Sequence, residues 1–187
     1  ATQVLITSAS SKTSIALAHC LRANSTMRVI GLTSDANVDF VNSIGEYHDV
    51  VTYSEISTLN ALVPTVVVDM AGNPEVLASV HAHFGESLKY SCSIGATHWD
   101  QTSHRVDISG PKPQFFFAPS QLSKRGKEWG REDLNNRLET ALNTFIEGSK
   151  EWLRIEHSRG ADAVSETYSQ LVAGKMPPEI GNILSFS

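Results

Sequence analysis

The chain is poor in several features that would settle its class at once. It holds 2 cysteines in 187 residues, Cys20 and Cys92. One lies in a helical pattern and the other in a strand pattern, so a disulfide framework is not indicated and a reducing, cytoplasmic setting is expected. Basic charge is not in excess either, since 15 Lys and Arg stand against 20 Asp and Glu for a net charge of -5. With the basic residues scattered, the electrostatic footprint of a nucleic-acid binder is missing. No apolar run approaches the roughly 20 residues of a transmembrane helix, and no charged-then-apolar leader opens the sequence, so neither a membrane nor a secretory class is expected. The chain also lacks an initiator Met and enters an apolar strand by Gln3, so a further N-terminal segment is expected to precede it.

Several catalytic templates are absent as well. There is no Gly-x-Ser-x-Gly elbow, no Walker lysine loop and no Tyr-x-x-x-Lys pair, the last arguing against a short-chain dehydrogenase. His81 and His83 fall two apart on a helical pattern, point to different faces and make a poor metal pair, so no metal site is assigned.

What is present is an alternation of buried strands and amphipathic helices, with 41% hydrophobic residues to supply a core. Gln3 to Thr7, Met27 to Leu32, Asp49 to Tyr53, Thr65 to Met70, Lys89 to Gly95 and Gln114 to Ala118 read as strands. Helical spacing separates the early ones: from Thr13 through Leu21, over Asp39 to Ile44, and from the Gly72-Asn73-Pro74 turn to Phe84. The run TVVVDM is nearly uninterrupted, as expected for a strand covered on both faces. The fold class predicted is α/β, a Rossmann-type, doubly wound parallel sheet of about six strands. Beyond Pro119 the pattern changes. Arg131 to Leu153 carries Leu134, Leu138, Leu142, Phe145, Ile146 and Trp152 at helical intervals and predicts one long helix. A helix over Ala161 to Ala173 and a closing strand over Gly181 to Phe186 follow. The division expected is a nucleotide-binding domain over 1–150 and a helix-strand annex over 151–187.

The stretch TSASSKTSIALAHCLR, Thr7 to Arg22, sits where a dinucleotide-binding protein carries its glycine-rich turn, yet it contains no glycine. A helix N-terminus offers unpaired N–H groups and about half a positive charge whatever its side chains, so phosphate binding can survive there. Ser8, Ala9, Ser10 and Ser11 are small, their hydroxyls are potential donors to phosphate oxygens, and Lys12 and Thr13 continue the turn. The condition is that the backbone needs no positive φ. The alternative is that Ser10 or Ser11 only caps a structural helix. After the second strand, Thr33 and Ser34 are neutral donors that tolerate a 2′-phosphate within reach of Lys12, which favours NADP(H) over NAD, although Asp35 is close by; Thr33, Ser34 and Asn37 also suit an ordinary Ser/Thr or Asx turn.

In a parallel sheet the remaining strand ends should converge on the same crevice. That adds Asp69, Ala71 and Gly72, then Gly95, Ala96 and Thr97, and Phe116 as a ring flanking the cofactor, with core packing as the competing role for Phe116. His98 beside Trp99 and Asp100 is the candidate proton relay, and a structural loop histidine is the alternative.

The segments VLITSASSKTSIALAHCLR, RVIGLTS with IGEYHDVVTY, VVVDMAG and YSCSIGATHWD, followed by ADAVSETYSQLVAGKMPPEIGNILSF, run in an order that resembles the cofactor-binding half of the zinc-independent medium-chain dehydrogenase/reductases. The likeness is to the quinone and enoyl reductase branch; SASSKT and SIGATHWD are more narrowly similar to a poorly characterised bacterial and fungal reductase-like group. The resemblance implies NADP(H) at Ser10, Ser11, Lys12, Ser34, Gly72 and Gly95, a homodimer, a small-molecule substrate, and an N-terminal domain that supplies substrate contacts. It implies hydride transfer to a conjugated carbonyl or quinone once the two domains are joined. Two departures bear on this: the family's Gly-Gly-Val-Gly turn is Ser-Ser-Lys-Thr here, and the N-terminal domain lies outside the sequence. A catalytically inactive nucleotide-binding or sensor module is therefore the alternative.

Overall fold

A computed structural model describes residues 1–70, 72–95 and 108–186. Six strands form a sheet in the order β3-β2-β1-β4-β5-β6, and every pairing is parallel. The strands are β1 (Gln3–Ile6), β2 (Arg28–Thr33), β3 (Asp49–Thr52), β4 (Thr65–Asp69), β5 (Leu88–Ser93) and β6 (Gln114–Phe115). The helices α1 (Lys12–Asn24), α2 (Val38–Ile44) and α3 (Pro74–Phe84), together with short 3₁₀ turns, make the first four crossovers. This is the doubly wound arrangement expected from the alternation, and it places a topological switch point between β1 and β4, where the chain leaves in opposite directions along the sheet.

The side-chain period of two divides the core between the sheet's faces. Leu5, Ile30, Leu32 and Val67 pack on one face with Val76, Leu77, Val80 and Phe84 of α3. Val4, Ile6, Val29 and Val68 pack on the other with Ala18 of α1, Val41 of α2 and Tyr47. Because both faces are covered, β1 is buried from end to end, and the central VVV of β4 likewise dispenses with polar residues. Helix α3 begins at a true cap: Asn73 Oδ1 accepts the N–H groups of Glu75 and Val76, and Pro74 occupies the first turn, where its missing N–H costs nothing.

Past β6 the long helix expected from Arg131 is present and ends four residues before Leu153, while two elements were not expected. A separate helix α4 (Ala118–Trp129) comes first, α5 covers Arg131–Ser149, and residues 154–159 are strand. Gly130 divides the two helices, and the stretch RIEHSR has no apolar alternation strong enough to mark a strand. Contacts within the chain define two compact units, Ala1–Ala141 and Leu142–Ser187. The second unit contains β7 (Arg154–Arg159), α6 (Ala161–Val172) and β8 (Ile180–Ser185), with β7 and β8 paired in parallel from Arg154↔Ile180 to Arg159↔Ser185. Among the described residues no helix is long and apolar enough to cross a membrane.

Candidate functional site

The carboxyl ends of β1, β2, β4 and β5 bring the candidate residues of the first unit to one edge of the sheet. The turn after β1 departs from expectation in its backbone. Ser8 sits at φ 49°, in the left-handed region that glycine normally occupies. The condition that the turn should need no positive φ is therefore not met, and the strain is carried by a serine.

Two tyrosines grip that turn from opposite faces of the sheet. The hydroxyl oxygen of Tyr53, which packs against the α3 face, accepts the Ser8 N–H at 3.1 Å. Tyr47, buried among the α1 and α2 contacts, donates its hydroxyl to the Ala9 carbonyl at 2.9 Å. Burial first, and Glu46 second, raise the Tyr47 phenol well above its ordinary range, so it stays a protonated donor. The Ala9 N–H meets the Leu32 carbonyl at 3.0 Å. Close approach is supplied from below: a Cβ at Gly31 would lie 2.9 Å from Ala9 Cβ and 2.9 Å from Tyr47 Cδ1. A glycine absent from the turn is thus found in the strand beneath it.

The serines divide their roles. Ser11 is the N-cap of α1, and its Oγ accepts the Ser14 N–H at 3.2 Å. The Ser14 hydroxyl donates to the Thr7 carbonyl at 3.0 Å, so the 2.8 Å contact between Ser11 Oγ and Ser14 Oγ must use the hydrogen of Ser11. Ser11 has no hydroxyl donor left for a ligand. Ser10 differs: its Oγ accepts from Asn37 Nδ2 at 3.3 Å, while its own hydroxyl hydrogen and its N–H meet no partner among the described residues. Asn37 also donates to Ser34 Oγ at 3.2 Å, tying the turn after β2 to the turn after β1. Lys12 and Thr13 lie at the surface on the opening turn of α1.

At the switch point Asp69 is buried at the end of β4. Its Oδ1 accepts the Thr7 hydroxyl at 2.8 Å and the Gly72 N–H at 3.2 Å, and Thr7 Oγ1 in turn accepts the Met70 N–H at 2.9 Å. The Asp69 carbonyl receives the N–H groups of Ile94 and Gly95, so β5 is fastened to the same point. Gly72 itself is at φ 68°. Burial, with a smaller contribution from Asp69, pushes the Cys92 thiol up, which keeps it protonated and poor as a nucleophile. Phe116 is 38% exposed and is anchored through its N–H to the Ser93 carbonyl.

The structure therefore gathers Ser8 to Thr13, Ser34, Asp69, Gly72 and Gly95 at the carboxyl edge of the sheet. Thr33 and Asp69 are buried, so their side chains are not open to a ligand at that edge. Ala71, Ala96, Thr97 and His98 lie outside the described residues. Sequence reasoning missed Tyr47 and Tyr53 as holders of the turn, and it passed over Asn37 as a bridge. The available signal was a pair of tyrosines bracketing β3, in IGEYHDVVTY, but nothing local says that either reaches across β2. Among the described residues no cluster of three or more His, Cys, Asp or Glu side chains suits a metal ion.

The family described as "protein of unknown function (DUF2855)" matches residues 1–177. The chain belongs to the DUF2855 family. No protein of curated function matches this DUF2855 chain in sequence. Solved structures do match in fold. CurA from Vibrio vulnificus, in complex with NADPH, aligns with a TM-score of 0.63 at 13% identity, covering 99% of this chain and 57% of that one. The yhdH oxidoreductase from Salmonella enterica, in complex with NADP, gives 0.56 at 16% identity, with 99% and 54% covered. The CurK enoyl reductase gives 0.61 at 16%, with 99% and 55% covered. At these identities the likeness establishes a shared fold for the DUF2855 chain, which spans little more than half the length of each of these proteins.

Proposed function

We propose that the chain is the NADP(H)-binding part of a reductase of the medium-chain dehydrogenase/reductase type, zinc-independent and nearest to the quinone and enoyl reductase branch. The observation that carries this reading is Ser10, whose N–H and O–H meet no partner among the described residues, in the turn after β1, next to the switch point and the start of α1. A diphosphate placed there would meet two donors and the positive end of the helix. The residues fit the cofactor in a second respect. Asn37 holds Ser34 and Ser10 together, and Lys12 lies at the surface of the adjoining turn, a neutral and cationic surround suited to a 2′-phosphate. The fold of two neighbours solved with NADPH or NADP supports the same assignment.

In this reading Ser10, Lys12 and Thr13 bind the phosphates, Ser34 and Asn37 face the adenosine ribose, and Gly72 and Gly95 leave room for the remaining ribose and the ring. Phe116 flanks that ring, and His98, just beyond Gly95 in the chain, relays a proton. Bound there, the cofactor would supply a hydride for a conjugated carbonyl or quinone. The substrate is a small molecule held by an N-terminal domain, and the functional unit is a cytoplasmic homodimer.

Calorimetric titration with NADPH and NADH tests the claim: saturable heat with NADPH is expected, and no heat and no thermal shift with either nucleotide overturns it. Lys12→Ala should weaken NADPH more than NADH, and an equal loss removes Lys12 from the 2′-phosphate. A second reading, nucleotide binding without turnover, is favoured by the glycine-free turn, in which a serine, Ser8, occupies the left-handed region. Substrate-dependent oxidation of NADPH by the full-length protein separates the two.

A further inference from the structure

The turn after β1 adopts a glycine conformation with a serine in it, and the contact at that residue explains how. Ser8 at φ 49° holds a left-handed backbone geometry that crowds the Cβ of an L-residue against the following carbonyl. Its N–H is met at 3.1 Å by the hydroxyl oxygen of Tyr53, the residue that follows the carboxyl end of β3. Ser11 N–H closes the turn onto the Ser8 carbonyl at 2.8 Å, so both sides of Ser8 are held. Ser8 is the only non-glycine residue with a positive φ among the described residues, and it is also the residue that Tyr53 touches.

We infer that Tyr53 is a positioning residue for this turn: its hydroxyl holds Ser8 left-handed and so aims Ser10 and the start of α1, the task that a turn glycine performs by having no Cβ. The inference rests on the proposed nucleotide site for its functional consequence, but not for its structural content. Tyr47 grips the next peptide at the Ala9 carbonyl rather than the Ser8 N–H, so it serves as the control. The Ser8 N–H is committed to the phenol, so the phosphate donors are those that follow it, with Ser10 first among them.

The test is a double-mutant cycle on the full chain, read by thermal unfolding without nucleotide and by NADPH titration. Tyr53→Phe keeps the ring and removes the acceptor. It should lower the melting temperature by several degrees and weaken NADPH by about 3- to 10-fold, the range expected for one hydrogen bond to a partly buried group. Ser8→Gly accepts the positive φ without strain, so Ser8→Gly combined with Tyr53→Phe should bind NADPH within about twofold of the wild type. Ser8→Gly should not rescue Tyr47→Phe, because that substitution leaves the Ser8 contact intact. Equal losses from Tyr53→Phe whether it is made in the wild type or together with Ser8→Gly would overturn the inference. Tighter NADPH binding by Tyr53→Phe would overturn it too, since the phenol would then be competing with the nucleotide. If the wild type binds no nicotinamide nucleotide, the proposed function fails while the unfolding cycle still decides the role of Tyr53.

Discussion

Replacing Gly31 by alanine tests whether the glycine lost from the turn has its counterpart in β2. The added Cβ would stand 2.9 Å from Ala9 Cβ, 2.9 Å from Tyr47 Cδ1 and 3.0 Å from Tyr47 Cγ. Carbon pairs rest at about 3.5–4.0 Å, so the three atoms must part by roughly 0.5–1 Å. The strand cannot retreat, because Gly31 is paired with Ile6 on one side and Val50 on the other. The ring of Tyr47 or the turn at Ala9 must move instead. Overpacking of this kind costs about 1–3 kcal/mol, and loss of the Tyr47 bond to the Ala9 carbonyl would add about 1 kcal/mol. For a chain of this size that is a fall of roughly 2–4 °C in Tm per kcal/mol. Gly148→Ala is the matched control, since a Cβ there meets nothing within 4 Å. Within α5 it should stabilise by up to about 1 kcal/mol. Urea unfolding of both variants gives the comparison. A Gly31→Ala protein within about 0.5 kcal/mol of the wild type, the spread of neutral surface changes, would refute the packing argument.

Ser10 and Ser11 should separate cleanly: Ser11→Ala removes a cap and costs about 0.5–2 kcal/mol in stability, whereas Ser10→Ala should spare stability and weaken NADPH, both read by titration and thermal melts. Asp69→Ala leaves the Thr7 hydroxyl and the Gly72 N–H without their acceptor and should destabilise by about 1–3 kcal/mol in urea unfolding; Asp69→Asn keeps an Oδ1 and should recover much of that loss. The raised Tyr47 phenol sets a sign for alkaline pH. Its folded pKa lies above the unfolded value of 10.0, so its contribution is complete below pH 10.0 and is lost as pH rises toward the folded value. Tyr47→Phe should therefore flatten the fall in stability above about pH 10 that melts of the wild type are expected to show.

The six strands and three early helices could be read from the chain because each is a local pattern. The two-sided burial of TVVVD and the Asn73-Pro74 cap each carry their own signal within a few residues. The shared edge was legible for a related reason: parallel strands deliver their carboxyl ends to one side of the sheet, so Ser10, Ser34, Asp69, Gly72 and Gly95 could be grouped without coordinates. Residues 154–159 were not legible as β7, since RIEHSR has no clean alternation and its partner β8 lies more than 20 residues away. Helix α4 escaped notice because APSQLSKRGKEW holds too few large apolar residues to set a helical period.

Hydrophobic periodicity and turn chemistry are encoded in near neighbours, and from them the sequence by itself determined the parallel α/β sheet and the position of a helix-opening turn after β1. It also determined that this turn would be built of serines. Which serine keeps a free donor was decided only by tertiary structure, because the answer depends on Ser14 turning its hydroxyl to Thr7 and on Asn37 arriving from beyond β2. The left-handed Ser8 belongs to the same class. Its strain is local, but what offsets it is a phenol from 45 positions away, and a contact across that distance exists only once the sheet has formed.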